Sequence, residues 1–166
     1  MSERDSLQGL YTLIFARRLL ESALPGSLAK PLRLDNFIIS RYEVGIDRLI
    51  DGQIELNVFA LPDDGISLEQ ANLSLSDALA QLGVNGVPEK SFDRIKKRWL
   101  QTARREAGDL DTLLWRTWWH ISSGVEPNNS SDHLNRIESV TLSDLNSLMA
   151  TLGKPQRKSI GLIKGE

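Results

Sequence analysis

Residues 53–61 alternate more cleanly than any other stretch of the chain. Ile54, Leu56, Val58 and Ala60 fall on one side, Gln53, Glu55 and Asn57 on the other. Successive side chains of a strand point to opposite faces, so one face of this segment is built to pack on a core. Residues 37–46, rich in aromatic and β-branched side chains, read as a second strand. Residues 47–52 are short enough for an antiparallel hairpin loop, with Gly52 in the tight turn, and Pro62-Asp63-Asp64-Gly65 closes the second strand. A two-stranded unit is marginal by itself, so the rest of the chain must cover its apolar face.

That remainder has helical period. Residues 6–24 carry Leu10, Leu13, Ile14, Arg17, Leu20 and Leu24 at spacings of three and four, widened by Phe15 and Leu19, until Pro25-Gly26. After the hairpin, Ser67 is an N-cap with Gln70 in the capping-box position, and that helix ends at Gly83. Pro88 suits a first helical turn, ahead of the seam Phe92, Ile95, Trp99 and Ala103. Beyond Gly108, Asp109 caps a helix through Leu113, Leu114, Trp118 and Ile121 to Gly124. A polar loop at 128–131 leads to a short helix with Leu134 and Ile137. Thr141 to Asp144 then forms a capping box before Leu145, Leu148 and Met149. Residues 159–163 read as a last short strand. The order predicts an α+β fold, an antiparallel sheet with helices packed on one face, in a single domain over 1–166. Three strands are few for so many helices. The expectation is a sheet completed by strands outside this chain, with an open edge through which two copies could pair.

Several chemistries are disfavoured. Net charge is −2 and cysteine is absent, so no overall basic field draws nucleic acid and no thiol chemistry is available. Arg94, Lys96, Lys97, Arg98, Arg104 and Arg105 read as a solvated helix flank. No apolar run approaches the roughly 20 residues of a membrane span, and the charged first six residues lack a signal peptide's apolar stretch. The two histidines, His120 and His133, stand thirteen residues apart, neither with a glutamate at metal-site spacing, and are expected to be structural or surface groups. Glu106, Asp109 and Asp111 flank a glycine break, where carboxylates usually cap helices. Trp115, Trp118 and Trp119 are expected to pack helix on helix. The alternative is a partner-binding surface on the Trp115/Trp119 face.

The order of elements resembles the half-domain of the insulinase/pitrilysin/processing-peptidase family of zinc metallopeptidases. The residues that carry the resemblance begin with the apolar helix Ile14-Phe15-Ala16-Arg17-Arg18-Leu19-Leu20 ahead of Pro31-Leu32-Arg33. They continue with Ile54-Glu55-Leu56-Asn57-Val58-Phe59-Ala60-Leu61-Pro62 and Gly86-Val87-Pro88-Glu89-Lys90-Ser91-Phe92-Asp93-Arg94-Ile95-Lys96. Glu138-Ser139-Val140-Thr141-Leu142-Ser143-Asp144-Leu145 and the tail Gly161-Leu162-Ile163-Lys164-Gly165 complete them. The likeness runs from about Leu10 onward, with the opening strands of a full half-domain missing, which implies truncation at the N-terminus.

The family's active half holds zinc with H-x-x-E-H on a helix. This chain has no such motif, so the resemblance implies the non-catalytic, C-terminal half of a bipartite zinc metalloendopeptidase. No catalytic residue and no metal ligand are expected here, and zinc is expected in a partner catalytic half, in the same polypeptide or a second subunit. The work implied is to complete a chamber around a peptide substrate. Arg33 fits the family's substrate-contacting arginine. It would donate to a peptide carbonyl, or else cap carbonyls of the segment before it. Ser40 stands where the family has a tyrosine, and Tyr42, two residues on, keeps the same strand face; a bulge or a different alignment would reconcile the offset. Half-burial is the plainer expectation for Tyr42. Similar bacterial proteins are often exported, which points to the periplasm. A standalone helical interaction module with no enzymatic role is the alternative.

Overall fold

The computed structural model describes residues 3–48, 54–122, 130–154, 160–161 and 163. Its first helix, α1 (Glu3–Leu20), is the most deeply buried element. Leu10, Tyr11, Phe15, Ala16, Leu19 and Leu20 are each 2% exposed or less. Of the expected stripe Leu10 and Leu20, with the widening Phe15 and Leu19, are buried, and Tyr11 and Ala16 join them. Leu13 and Ile14 are half-buried and Arg17 is exposed, reaching back to Glu21 at 3.6 Å. The helix also ends at Leu20 rather than Leu24. Its last turn closes through Ser22, whose hydroxyl donates to the Leu19 carbonyl at 2.7 Å.

The chain then turns through Gly26. This residue has φ of +83°, and a Cβ there would lie 2.7 Å from Cδ of Pro88. Glycine is needed twice over, for the left-handed backbone and for the close approach. A single π-helical turn, Lys30–Asp35, buries Leu32 and leads to the hairpin.

Strands β1 (Ile39–Arg48) and β2 (Ile54–Pro62) pair antiparallel, with Tyr42 opposite Ala60, Val44 opposite Val58 and Ile46 opposite Leu56. Tyr42, Val44, Leu56, Val58 and Ala60 pack on the core, with Val44 fully buried. Ile46 is half-buried, and Ile54, expected on the same face, is 39% exposed because it sits at the far end of the hairpin. Arg41, Glu43, Phe59 and Leu61 face outward and are exposed. The register slips between Ile39 and Arg41, which pair with Pro62 and Leu61. Ser40 is therefore an extra residue, a β-bulge. The bulge switches faces, so that buried Ile39 and the core-facing Tyr42 both point inward although they stand an odd three positions apart.

Five helices follow: α2 (Leu68–Asn85), α3 (Glu89–Glu106), α4 (Leu110–Ser122), α5 (Ser130–Ser139) and α6 (Leu142–Leu152). The chain is α+β, with a two-stranded antiparallel sheet and helices packed against it. Ser67 caps α2, accepting from the Gln70 N–H at 3.1 Å. This helix runs two residues past Gly83. A Cβ at Gly83 would meet the Met149 carbonyl of α6 at 3.1 Å, so the glycine permits helix contact instead of stopping the helix. The α3 seam Phe92, Ile95, Trp99 and Ala103 is buried as expected, and Pro88 stands one position earlier, as the N-cap. Thr141 and Asp144 form the capping box of α6. Ile160, Gly161 and Ile163 belong to no strand, and the rest of the expected strand at 159–163 lies outside the described residues, as does most of the hairpin loop.

The core joins α1 to α3. Phe15 stacks on Phe92 with ring centres 4.8 Å apart, and Tyr11 stacks on Trp99 at 5.9 Å. Phe15→Ala is expected to cost about 3–5 kcal/mol in urea unfolding, from lost burial plus the cavity it leaves. Leu73→Ala, on the exposed side of α2, is expected to stay within about 0.5 kcal/mol of the parent chain.

Candidate functional site

The residues singled out by the sequence gather where the end of α1 meets the start of β1. Tyr42 is half-buried, and its hydroxyl donates to the Leu20 carbonyl at the end of α1, an acceptor it shares with the Leu28 N–H at 3.2 Å. Burial pushes the phenol well above its ordinary value, and the nearby Glu21 charge adds to the rise. A backbone hydrogen bond at Ala29 and the positive charge of Arg33 act in the opposite sense. The phenol therefore stays protonated and remains a donor.

Glu21 ties the same junction from another side. Its carboxylate accepts the Val44 N–H at 3.2 Å. An edge strand normally leaves such groups for another strand. Here one of them is spent on the chain's own side chain. Ser40, at the bulge, donates to the Leu61 and Pro62 carbonyls at 3.3 and 3.1 Å. Both hydroxyls near the expected tyrosine position are thus committed to the fold.

Arg33 differs. It lies exposed in the last turn of the π-helical segment, and no described residue forms a hydrogen bond or ion pair with its guanidinium. It caps no carbonyl of the preceding segment. Its neighbours Leu34 and Phe37 are exposed, as are Phe59 and Leu61 on the outward face of β2. Phe37 holds a left-handed backbone, φ 52°, uncommon for a bulky residue. A cationic donor beside exposed apolar groups can accept a carbonyl- or carboxylate-bearing chain.

Other sequence candidates lie elsewhere. His133 bonds through Nδ1 to the Tyr11 hydroxyl at 2.7 Å and sets its ring edge-on to Trp99. The His120 side chain lies outside the described residues. Among the described residues, no three His, Asp or Glu side chains converge as a metal site would require. Asp109 caps α4, accepting the Thr112 N–H at 2.7 Å, and its hydrogen bonds with Thr112 hold the carboxyl below the usual range. The basic run is partly structural. Lys96 donates to the Glu138 and Val140 carbonyls at 2.7 Å each, and Arg104 pairs with Glu138 at 3.4 Å. Trp115 and Trp118 overturn the expectation of helix-on-helix packing, being 67% and 58% exposed. The Trp119 side chain lies outside the described residues.

Sequence reasoning missed Glu21 and Tyr11. A glutamate just past a helix end and a tyrosine within an apolar stripe carry no local mark of partners found 23 and 122 residues away.

No protein-family model matches the chain, and no curated protein matches it in sequence. In fold it is similar to a crystal structure from Bordetella pertussis Tohama I, provisionally described as a zinc protease. The TM-score is 0.73 at 15% identity, over 92% of this chain and 83% of that one. At this identity the likeness is one of fold.

The Tyr42 clamp has a pH signature. A phenol whose folded value is raised contributes stability that is whole below the ordinary value of 10.0 and declines as pH rises beyond it. Tyr42→Phe is expected to lose about 1 kcal/mol at neutral pH. In urea unfolding between neutral pH and pH 11, the difference between parent and variant should shrink above pH 10.

Proposed function

We propose that the chain is the non-catalytic half-domain of a bipartite zinc metalloendopeptidase, closing a peptide-binding chamber against a separate half that bears H-x-x-E-H. The observation that carries this reading is the fold shared with the Bordetella pertussis protein described as a zinc protease, across nearly the whole of this chain. The sequence supports the division of labour. Two histidines thirteen residues apart, with no glutamate between them at helical spacing, do not fit the family's zinc site. Zinc and the water it activates belong to the partner half, and no side chain of this chain serves as metal ligand, nucleophile or general base.

Its share of the work is positioning. Arg33 would donate to a carbonyl of the bound peptide, where a preplaced cationic donor is worth most as negative charge grows on oxygen. The exposed Leu34, Phe37, Phe59 and Leu61 offer apolar surface to peptide side chains. Tyr42 supports the site from beneath, holding the start of β1 on the end of α1. Donation from its hydroxyl to the peptide would first require release of the Leu20 carbonyl.

Two measurements test this. Added to a catalytic half, the chain should raise cleavage of an unstructured peptide, and Arg33→Ala should lower kcat/KM of the assembled enzyme by about 100-fold while leaving assembly intact. No association and no gain in cleavage would refute the proposal. A chelator should abolish activity of the assembly yet leave the thermal midpoint of the chain alone unchanged. A fall in that midpoint would place metal within this chain.

A further inference from the structure

Helix α4 is turned the wrong way round for a helix of a self-contained domain. Thr112, Leu113, Arg116 and Thr117 are half-buried, so the side nearest the body is mainly polar. Leu110, Leu114, Trp115, Trp118 and Ile121 are all more than half exposed. At 100° per residue these five span one continuous face about 140° wide. Trp115 and Trp118 meet edge to face at 5.1 Å, which fixes two large rings side by side in water. Every other described helix turns its principal apolar side inward, as Phe92, Ile95 and Trp99 do in α3.

The size and chemistry of the face indicate its occupant. Two tryptophans and three aliphatic side chains at this exposure offer on the order of 500 Å² of apolar surface, the upper part of the range that monomers tolerate. Two such faces bury about 1,000 Å² together, the lower bound of a specific interface. Asp111 is the one charged residue within the span. A different protein would need polar or charged groups here to be told apart from others. Two identical faces related by a two-fold axis need none. An antiparallel crossing sets each Leu110 against the partner's Ile121 and interleaves Leu114 with Trp118. It also holds the two Asp111 carboxylates at opposite ends, where they do not repel.

We propose that the exposed face of α4 pairs with the same face of a second copy, making the chain a two-fold homodimer through Leu110, Leu114, Trp115, Trp118 and Ile121. This contact is separate from the Arg33 site and does not depend on the peptidase reading.

The test is sedimentation equilibrium of the full chain from about 1 to about 100 µM, bracketing the micromolar affinity that an interface of this size supports. The parent chain should pass from monomer to dimer, with its tryptophan emission shifting to the blue over the same range. The double variant Leu114→Glu, Trp118→Glu places carboxylates against each other and should remain monomeric with unchanged circular dichroism. Phe59→Glu, on the hairpin's outward face, should leave the dimer intact. A parent chain that stays monomeric to 100 µM overturns the proposal, as does a dimer that survives the double variant. Loss of the dimer in Phe59→Glu alone would move the interface to the sheet. If the double variant fails to fold, the parent's emission decides: no shift with concentration overturns the proposal.

Discussion

Phe15 of α1 lies against Phe92 of α3, and the edge of Trp99 closes on it from the side. Around this contact Tyr11, Leu19 and Leu20 bring α5, β1 and α6 onto the same helix. A helix covered on so many sides has no freedom to rotate without opening a cavity, and close-packed interiors do not tolerate cavities cheaply. The placement of β1, α3, α5 and α6 follows from that, and α2 is placed at second hand, against α6. The hairpin lays Val44 over the end of α1, α3 supplies aromatic rings along its middle, and α5 and α6 close the remaining side with Ile137, Val140, Leu145 and Met149.

The candidate site depends on the same helix in a different way. Where α1 stops, its last carbonyls need donors and the first strand needs a fixed register. Tyr42 and Glu21 meet both demands at once, one reaching from strand to helix and the other from just past the helix to the strand. With the Ser40 bulge absorbing one residue, the outward face of the hairpin is set relative to the turn that carries Arg33. Among the described residues no hydrogen bond or ion pair engages the Arg33 guanidinium, and its charge acts on the Tyr42 phenol nearby.

Much of the fold was legible in the sequence where one element decided its own fate. The α3 seam stands out because basic residues surround it, and β2 because its alternation is regular, although Ile54 at its start is 39% exposed and only Leu56, Val58 and Ala60 pack on the core. Legibility failed where two elements decide together. The α1 stripe was read with Arg17 in it and without Tyr11, because a helix buried on several sides shows a broad apolar arc with no sharp centre. Gly83 looked like a stop signal, and only the approach of Met149 explains it. The bulge at Ser40 depends on the partner strand. The tryptophans of α4 read as core because composition reports that a side is apolar, never whether the rest of the chain reaches it. At the site, Arg33 entered as a candidate only through resemblance, and the Tyr42 clamp, a contact across 22 residues, left no mark in the sequence.

The central claim is that α1 and the hairpin are one cooperative unit, locked by the Phe15 core and by the Tyr42 and Glu21 contacts. Native-state hydrogen exchange tests it directly, because amides report the free energy of the opening that exposes them. The account predicts that the Val44 amide exchanges with the same free energy as those of Phe15 and Leu19, and that this value equals global unfolding. A Val44 amide exchanging far faster than those of α1, through an opening that leaves the helix protected, would contradict it.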